Sequence, residues 1–312
     1  MIKIGIIGSA VVDYICACID TMPELGEHTC FDEFEVSSGG NGQNVAINLC
    51  KLGVPLEYFS CALGDDTNGK FLIEVMEKEG VPTSDIQIVR DCKTGVSIVN
   101  IASNLDKRIF QYVGANGKFN LPFTDKEKIK KLDYLILTGF AIMDCLLSEL
   151  DDLFVLCKRN NVKIIAGLTS INDASLKCKI TNILYGIDYL FLNELELRLF
   201  GQKYLSLPEN IDYLHRKGVT NILVTLGQKG VVISTKNGTR KYLDAFPASV
   251  RDTTGAGDAF LSGFVYGLSK GQTLNRCAEY GLYVASRCIE CVSSSRGLNE
   301  IKEKLTDIDL YK

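Results

Sequence analysis

Short apolar runs recur along the chain as KIGIIG, YFSCALG, YLILTG, KIIAGL, DYLFLN and NILVTLG, and they constrain the fold more than any other feature. Stretches with apolar residues at helical spacing, such as FLIEVMEKEG and IDYLHRKG, separate many of them. Continuously apolar strands alternating with helices imply a mostly parallel sheet buried on both faces. Several runs end at a glycine or a polar residue, as strands do before a ligand crevice. The opening MIKIGIIGSAVVDYI reads as a buried strand and lacks the ordered basic, apolar and cleavage regions of a signal peptide.

Two regions break this rhythm. Residues 29–36, TCFDEFEV, and residues 95–113, GVSIVNIASNLDKRIFQYV, read as strands without helices between them, the second as a hairpin turning near Asn104 to Lys107. They fit a small β-sheet lid over the crevice, inserted at about 11–37 and 94–114 of a single α/β domain that spans 1–312.

Composition narrows the function. The formal net charge is −4 with no long Lys/Arg cluster, which speaks against a nucleic-acid partner. No apolar run is long enough to cross a bilayer, so no membrane partner is expected and the chain is expected to be cytoplasmic. Twelve cysteines are scattered, most in apolar settings such as INLCKLG, where Cys acts as a small hydrophobe. Cys16 and Cys18 form a CxC and Cys288 and Cys291 a CxxC, but neither has a second pair at zinc-finger spacing. With His28 and His215 the only histidines, Ser-His-Asp triads are poorly supplied.

Glycine-rich turns supply the positive signals. GDDTNGKF, residues 64–71, nearly spells a phosphate loop, but Phe71 stands where that loop needs a magnesium-binding hydroxyl. Asp65 or Asp66 reads instead as the cap of a helix beginning near Gly69. DTTGAGDAF, residues 252–260, lies between the strand-like RKYLDAF and a helical run with Phe260, Leu261, Phe264, Val265 and Leu268. Gly255, Ala256 and Gly257 leave bare backbone at a helix N-terminus, where orphan N–H groups and the helix dipole attract an anion. Asp258 is then either an N-cap or a base beside that anion. SSGGNGQNVAINLCKLG, residues 37–53, is a second glycine-rich helix entry, with Asn41 and Asn44 ready to bind hydroxyls. FLNELE puts Asn193 and Glu196 just beyond a strand, and VTLGQKG puts Thr225, Gly227 and Gly230 at another strand end.

In this order the motifs resemble those of the ribokinase-like, or PfkB, family of carbohydrate kinases along nearly the whole chain. GGNGQNVAINLCKLG is similar to the family's N-terminal motif and DTTGAGDAF to its C-terminal one, with LGDD, NELE and VTLGQKG between them. GSAVVDYI and GANGKF also have counterparts in ribokinase-type members.

The resemblance implies an ATP-dependent kinase in which Asp258 is the general base and the backbone N–H groups of Gly255, Ala256, Gly257 and Asp258 form an anion hole. It further implies that Asn193 and Glu196 help place Mg2+ through water near ATP, a role compatible with a helix capping box, and that Thr225, Gly227 and Gly230 bind the nucleotide. Ligands near Asp252 and Thr254 would hold a monovalent cation, K+, together with the segment CVSSSRG. Asp13, Gly40, Asn41 and Asn44 would bind the acceptor. Asn41 departs from ribokinase, which has a lysine there, and TGFAI replaces the segment that supplies a ribose-binding glutamate, so the resemblance does not carry ribose specificity over.

The expected reaction is phosphorylation of a primary hydroxyl on a small sugar or sugar acid. GGNGQN contains no cation to hold a second phosphate, and the hairpin offers only Lys107 and Arg108, so the acceptor is expected to be unphosphorylated. A nucleoside acceptor, adenosine- or pseudouridine-like, is the alternative, because Phe31, Phe34, Phe110 and Tyr112 of the lid could stack on a base. A ligand-binding regulator without catalysis is the reading from a different class, and the intact Asp258 argues against it. A homodimer through the lid is expected, since a small sheet leaves an apolar face to cover.

Overall fold

The computed structural model describes residues 2–291 other than Asp20, Met22, 103–106 and 170–173, together with Leu298, Ile301 and Leu305. Eight strands form the central sheet: β1 (Ile4–Gly8), β4 (Tyr58–Ser60), β9 (Tyr134–Thr138), β10 (Lys163–Gly167), β11 (Tyr189–Asn193), β12 (Asn221–Thr225), β13 (Val231–Thr235) and β14 (Arg240–Leu243). Their spatial order is β14-β13-β12-β11-β10-β9-β1-β4, parallel from β4 to β12 and antiparallel across β12–β13 and β13–β14. Four further strands, β2 (Val11–Ile19), β3 (Glu33–Gly39), β7 (Val96–Ala102) and β8 (Lys107–Tyr112), make a separate sheet in the order β3-β2-β7-β8. A two-stranded sheet pairs β5 (Ala62–Gly64) with β6 (Gln87–Val89).

The helices are α1 (Asn41–Lys51), α2 (Thr67–Lys78), α3 (Lys126–Ile129), α4 (Asp144–Leu147), α5 (Leu150–Arg159), α6 (Ala174–Ile183), α7 (Glu194–Phe200), α8 (Leu207–Arg216), α9 (Ala256–Ser269) and α10 (Leu274–Cys288). Side chains of a strand alternate between faces, and the central sheet uses both. Ile4 and Ile6 of β1, with Ile136, Phe191 and Leu223, share one core with residues of α1, α2, α9 and α10. Ile7, with Leu135, Leu137 and Leu190, shares the other with residues of α5, α7 and α8. The apolar runs are continuous because each residue of these strands has a core to enter. The mostly parallel sheet, covered on both faces and joined to a small second sheet, is the expected fold class. No helix among the described residues is long and apolar enough to cross a membrane.

Several details differ from the sequence reading. YFSCALG is two strands, because Cys61 turns away and its carbonyl accepts from Gln87 N–H, so β4 pairs with β1 and β5 with β6. MIKIGIIGSAVVDYI spans β1 and the start of β2, which leaves the central sheet at Ser9–Ala10. The helix read as beginning near Gly69 begins at Thr67, with Asp66 accepting from Gly69 N–H as its cap. RKYLDAF supplies only the four residues of β14. β7 and β8 pair antiparallel, and the tip of that hairpin lies outside the described residues.

The start of α1 sits directly on the end of β1. A Cβ built on Gly42 would lie 2.6 Å from the Gly8 carbonyl carbon and 2.9 Å from Ser9 N, both backbone atoms that cannot swing aside. By contrast, a Cβ on Gly257 would meet nothing within 4 Å. Overpacking of a site that cannot relax costs about 1–3 kcal/mol, so Gly42→Ala should lower Tm by roughly 3–10 °C. Gly257→Ala should leave Tm within about 2 °C of wild type, since alanine is the better helix former. Differential scanning calorimetry showing equal Tm for both variants would contradict the close approach.

Candidate active site

Thr138, Gly167, Asn193 and Thr225 are the last residues of β9, β10, β11 and β12, and all four line one cavity of about 210 Å3. Ligand crevices in open α/β sheets lie at this carboxyl edge. The entrance to α9 closes the cavity with Gly255, Ala256, Gly257 and Asp258. Gly255 precedes the helix in the left-handed region, at φ 78°, ψ 0°, where a side chain would be strained. Among the described residues, the N–H groups of Gly255, Gly257 and Asp258 donate to no protein acceptor. Ala256 differs from expectation: its N–H donates to the Thr253 carbonyl at 3.2 Å, because the chain tightens into a turn there. What Ala256 offers the cavity is a small side chain.

Asp258 is 7% exposed, in the first turn of α9. It makes no capping bond; its carboxylate faces α1, accepting from Asn41 Nδ2 at 3.0 Å on Oδ1 and from Asn44 Nδ2 at 2.9 Å on Oδ2. Burial raises the carboxyl to about 6, and the two amide donors oppose that rise by stabilising the anion. Each oxygen keeps lone-pair capacity for one more donor. Thr169, unmarked by any motif, donates its hydroxyl to Asn41 Oδ1 at 3.2 Å.

Asn193 caps α7. Its Oδ1 accepts from Glu196 N–H at 2.8 Å, and Glu196 Oε2 accepts from Asn193 N–H at 2.8 Å, a complete capping box. Glu196 is buried and lines the cavity. One carboxylate next to an amide oxygen is a donor set suited to a hard cation that keeps most of its water.

A second cavity of about 500 Å3 adjoins the first and shares Thr225, Thr253, Ala256, Gly257 and Phe260 with it. Gly227 and Gly230 line it, as the nucleotide-loop expectation requires. Its other walls are mostly apolar, among them Phe246, Pro247, Leu282 and Ile289, none of which carried a sequence signal, with Gln228 and Ser286 as the polar exceptions. A flat aromatic base fits such walls.

Asp13 and Gly40 do not line either cavity. Gly40 joins β3 to α1, and the Asp13 carboxylate packs against Gly39 beside it. Burial raises the Asp13 carboxyl to about 6, with the Ser97 hydroxyl bond pulling the other way. Strand register sets Ser37, Asp13, Ser97 and Gln111 in one row across all four strands of the small sheet. The Asp252 Oδ1 accepts from both Thr254 N–H (2.9 Å) and Thr254 Oγ1 (2.7 Å), and neither residue lines the cavity. Of the segment CVSSSRG expected to help them, all but Cys291 lies outside the described residues.

Residues 1–301 match the family described as pfkB family carbohydrate kinase. The chain belongs to this family. A ribokinase of Haemophilus influenzae is 26% identical over 292 residues, covering 90% of each chain. The solved ribokinase of Thermotoga maritima superimposes with TM-score 0.85 at 25% identity, over 99% of this chain and 100% of that one. An Arabidopsis thaliana ribokinase solved with ribose and ATP has the same fold, with TM-score 0.83 at 24% identity and 99% of both chains covered. This member of the pfkB family is an ATP-dependent sugar kinase.

Proposed function

We propose that this kinase transfers the γ-phosphoryl group of ATP to a primary hydroxyl of a small, unphosphorylated sugar or sugar acid. The observation that carries the reading is one turn, Gly255 to Asp258, lining a single cavity with a buried carboxylate and three N–H groups that find no acceptor among the described residues. Asp258 takes the acceptor's proton as the oxygen attacks, and the N–H groups of Gly255, Gly257 and Asp258 bind the oxygens of the transferring group. Most of the catalysis is positioning and electrostatics, which a turn of this size supplies. The 500 Å3 cavity is assigned to the adenine side of ATP, with Thr225, Gly227 and Gly230 beside the phosphates. Glu196 and Asn193 are assigned to Mg2+, which neutralises phosphate charge when bound. Asp252, tethered to Thr254, is the group assigned to a monovalent cation beside the turn.

For the acceptor, Asp13 and the Asn41–Asn44 start of α1 bind hydroxyls. The row Ser37, Asp13, Ser97 and Gln111 carries one acid and no cation, which opposes a phosphate dianion most, the single charge of a sugar acid less, and suits a neutral polyol best. The same register favours a sugar over a nucleoside. Phe34, Phe110 and Tyr112 fall on the face opposite Asp13, so they are not aimed at a base held there. On that opposite face Val36, Tyr14, Ile98 and Phe110 are in register across all four strands, and three of them are 43%, 44% and 64% exposed (Val36, Ile98 and Phe110). We assign this apolar row to contact with a second copy of the chain, forming a homodimer through the small sheets.

ATP consumption over a panel of pentoses, hexoses, sugar acids, sugar phosphates and nucleosides tests the acceptor. The expected winner is an unphosphorylated sugar or sugar acid. Faster turnover of any sugar phosphate than of every neutral sugar and sugar acid would overturn the assignment, and a nucleoside winner would replace it with the nucleoside reading. For the dimer, sedimentation velocity at micromolar concentration should give a dimer that Phe110→Glu dissociates. A wild-type monomer, or a dimer untouched by that charge, would remove the lid contact from the account.

A further inference from the structure

The amide of Asn41 stands between two groups. Its Nδ2 donates to Asp258 Oδ1 at 3.0 Å, and its Oδ1 accepts from Thr169 Oγ1 at 3.2 Å. Thr169 lies two residues beyond the end of β10, so the contact joins α1, α9 and the β10 edge. Gly139, the residue after β9, leaves the Asn41 oxygen its space, since a Cβ there would lie 3.2 Å from it. A carboxylate only accepts hydrogen bonds, so the amide must turn its nitrogen to Asp258 and its oxygen away. The half-buried oxygen then needs a donor, and Thr169 provides one. A donor on the oxygen also polarises the amide and strengthens the N–H bond on its other side.

We propose that Thr169 is a positioning residue for phosphoryl transfer: its hydroxyl holds the Asn41 amide so that Nδ2 stays on the Asp258 carboxylate. The proposal rests on the reading of Asp258 as the base. Without the Thr169 hydroxyl the amide is free to rotate, and the carboxylate loses one of the two donors that favour its anion. Asp258 should then hold its proton to a higher pH than the wild-type value of about 6. The sign follows: the ionised fraction falls between about pH 5 and 7, so the deficit is largest at low pH and fades in alkali. Among the described residues, Glu196 lines the same cavity as Asp258, and Cys288 of α10 feels the charges of both Asp258 and Asp252. Burial first, and then the charge of Asp258, push the Cys288 thiol up to about 12, so it stays neutral throughout this range.

The test is the carbon-13 NMR titration of the Asp258 carboxyl in the whole enzyme, the signal being assigned by its loss in Asp258→Asn. Thr169→Val removes the hydroxyl at nearly constant shape and should raise the midpoint by about 0.5–1 pH unit. Thr169→Ser keeps the hydroxyl and should titrate within about 0.2 unit of wild type. Thr169→Ala should shift as the valine variant does and replaces it if valine prevents folding. The acid limb of the kcat–pH profile should move with the NMR midpoint, whereas a merely structural role would lower kcat equally at every pH. Midpoints unchanged in both hydroxyl-free variants, or a serine variant shifted as far as they are, would overturn the proposal. A shifted midpoint with an unmoved kcat limb would uphold the link from Thr169 to Asp258 and overturn the reading of Asp258 as base.

Discussion

Two amides at the start of α1 donate to one carboxylate at the start of α9, and these helix entrances lie more than two hundred residues apart in sequence. A buried carboxylate left without partners would cost several kcal/mol or take up a proton, so the junction holds only if both helices arrive at the right depth. Their arrival depends on glycine. α1 rests on the end of β1 because neither Gly8 nor Gly42 has a side chain, and α9 turns in because Gly255 adopts φ 78°. The sheet beneath fixes the rest: the ends of β9 to β12 form the floor, and α10 packs along α9 on the outer side.

This arrangement divides the chemistry by surface. Backbone N–H groups and the Asp258 carboxylate face a small polar cavity, while the adjoining larger one is walled mostly by apolar side chains. The small sheet repeats the division, with the polar row of Asp13 on one face and the apolar row of Ile98 on the other. Both carboxyls assigned to the acceptor side, Asp13 and Asp258, are raised to about 6 by burial, and in each case hydrogen-bond donors oppose the rise. They are therefore held near the top of the carboxylate range yet ionised at neutral pH, a useful setting for groups that meet hydroxyls.

Much of this was legible because it is local. GAGD, GGNGQN, NELE and VTLGQKG each carry a turn, a cap or a strand end within a few residues, and the apolar runs announce a parallel sheet. What depends on distant packing was not legible. The contact of Asn41 and Asn44 with Asp258 is invisible in either motif alone, and Thr169 sits in a plain LTS stretch. Phe246, Leu282 and Ile289 stand outside every motif, and only the packing of α10 against the chain after β14 makes them a cavity wall. The Ala256 N–H, which the family resemblance implied for the anion hole, is taken by the Thr253 carbonyl, and only the geometry of the turn determines that. The aromatics of the lid pointed toward a base until strand register put three of the four on the face away from Asp13.

The claim at the centre of this account is that Asp258 removes the acceptor's proton, and Asp258→Asn tests it most directly. Asparagine matches the size of aspartate and its oxygen still accepts from one of Asn41 and Asn44, while its NH2 faces the other donor, so the enzyme should fold with a Tm a few degrees lower. It cannot take a proton, and loss of a general base commonly costs about 10²–10⁴-fold in rate. Steady-state kinetics should give kcat at least about a hundredfold lower with the acceptor KM changed far less, because the lost interaction belongs to the transition state. A folded Asp258→Asn enzyme that keeps more than about a tenth of wild-type kcat would mean that the carboxylate only holds α1 against α9 and that the base lies elsewhere.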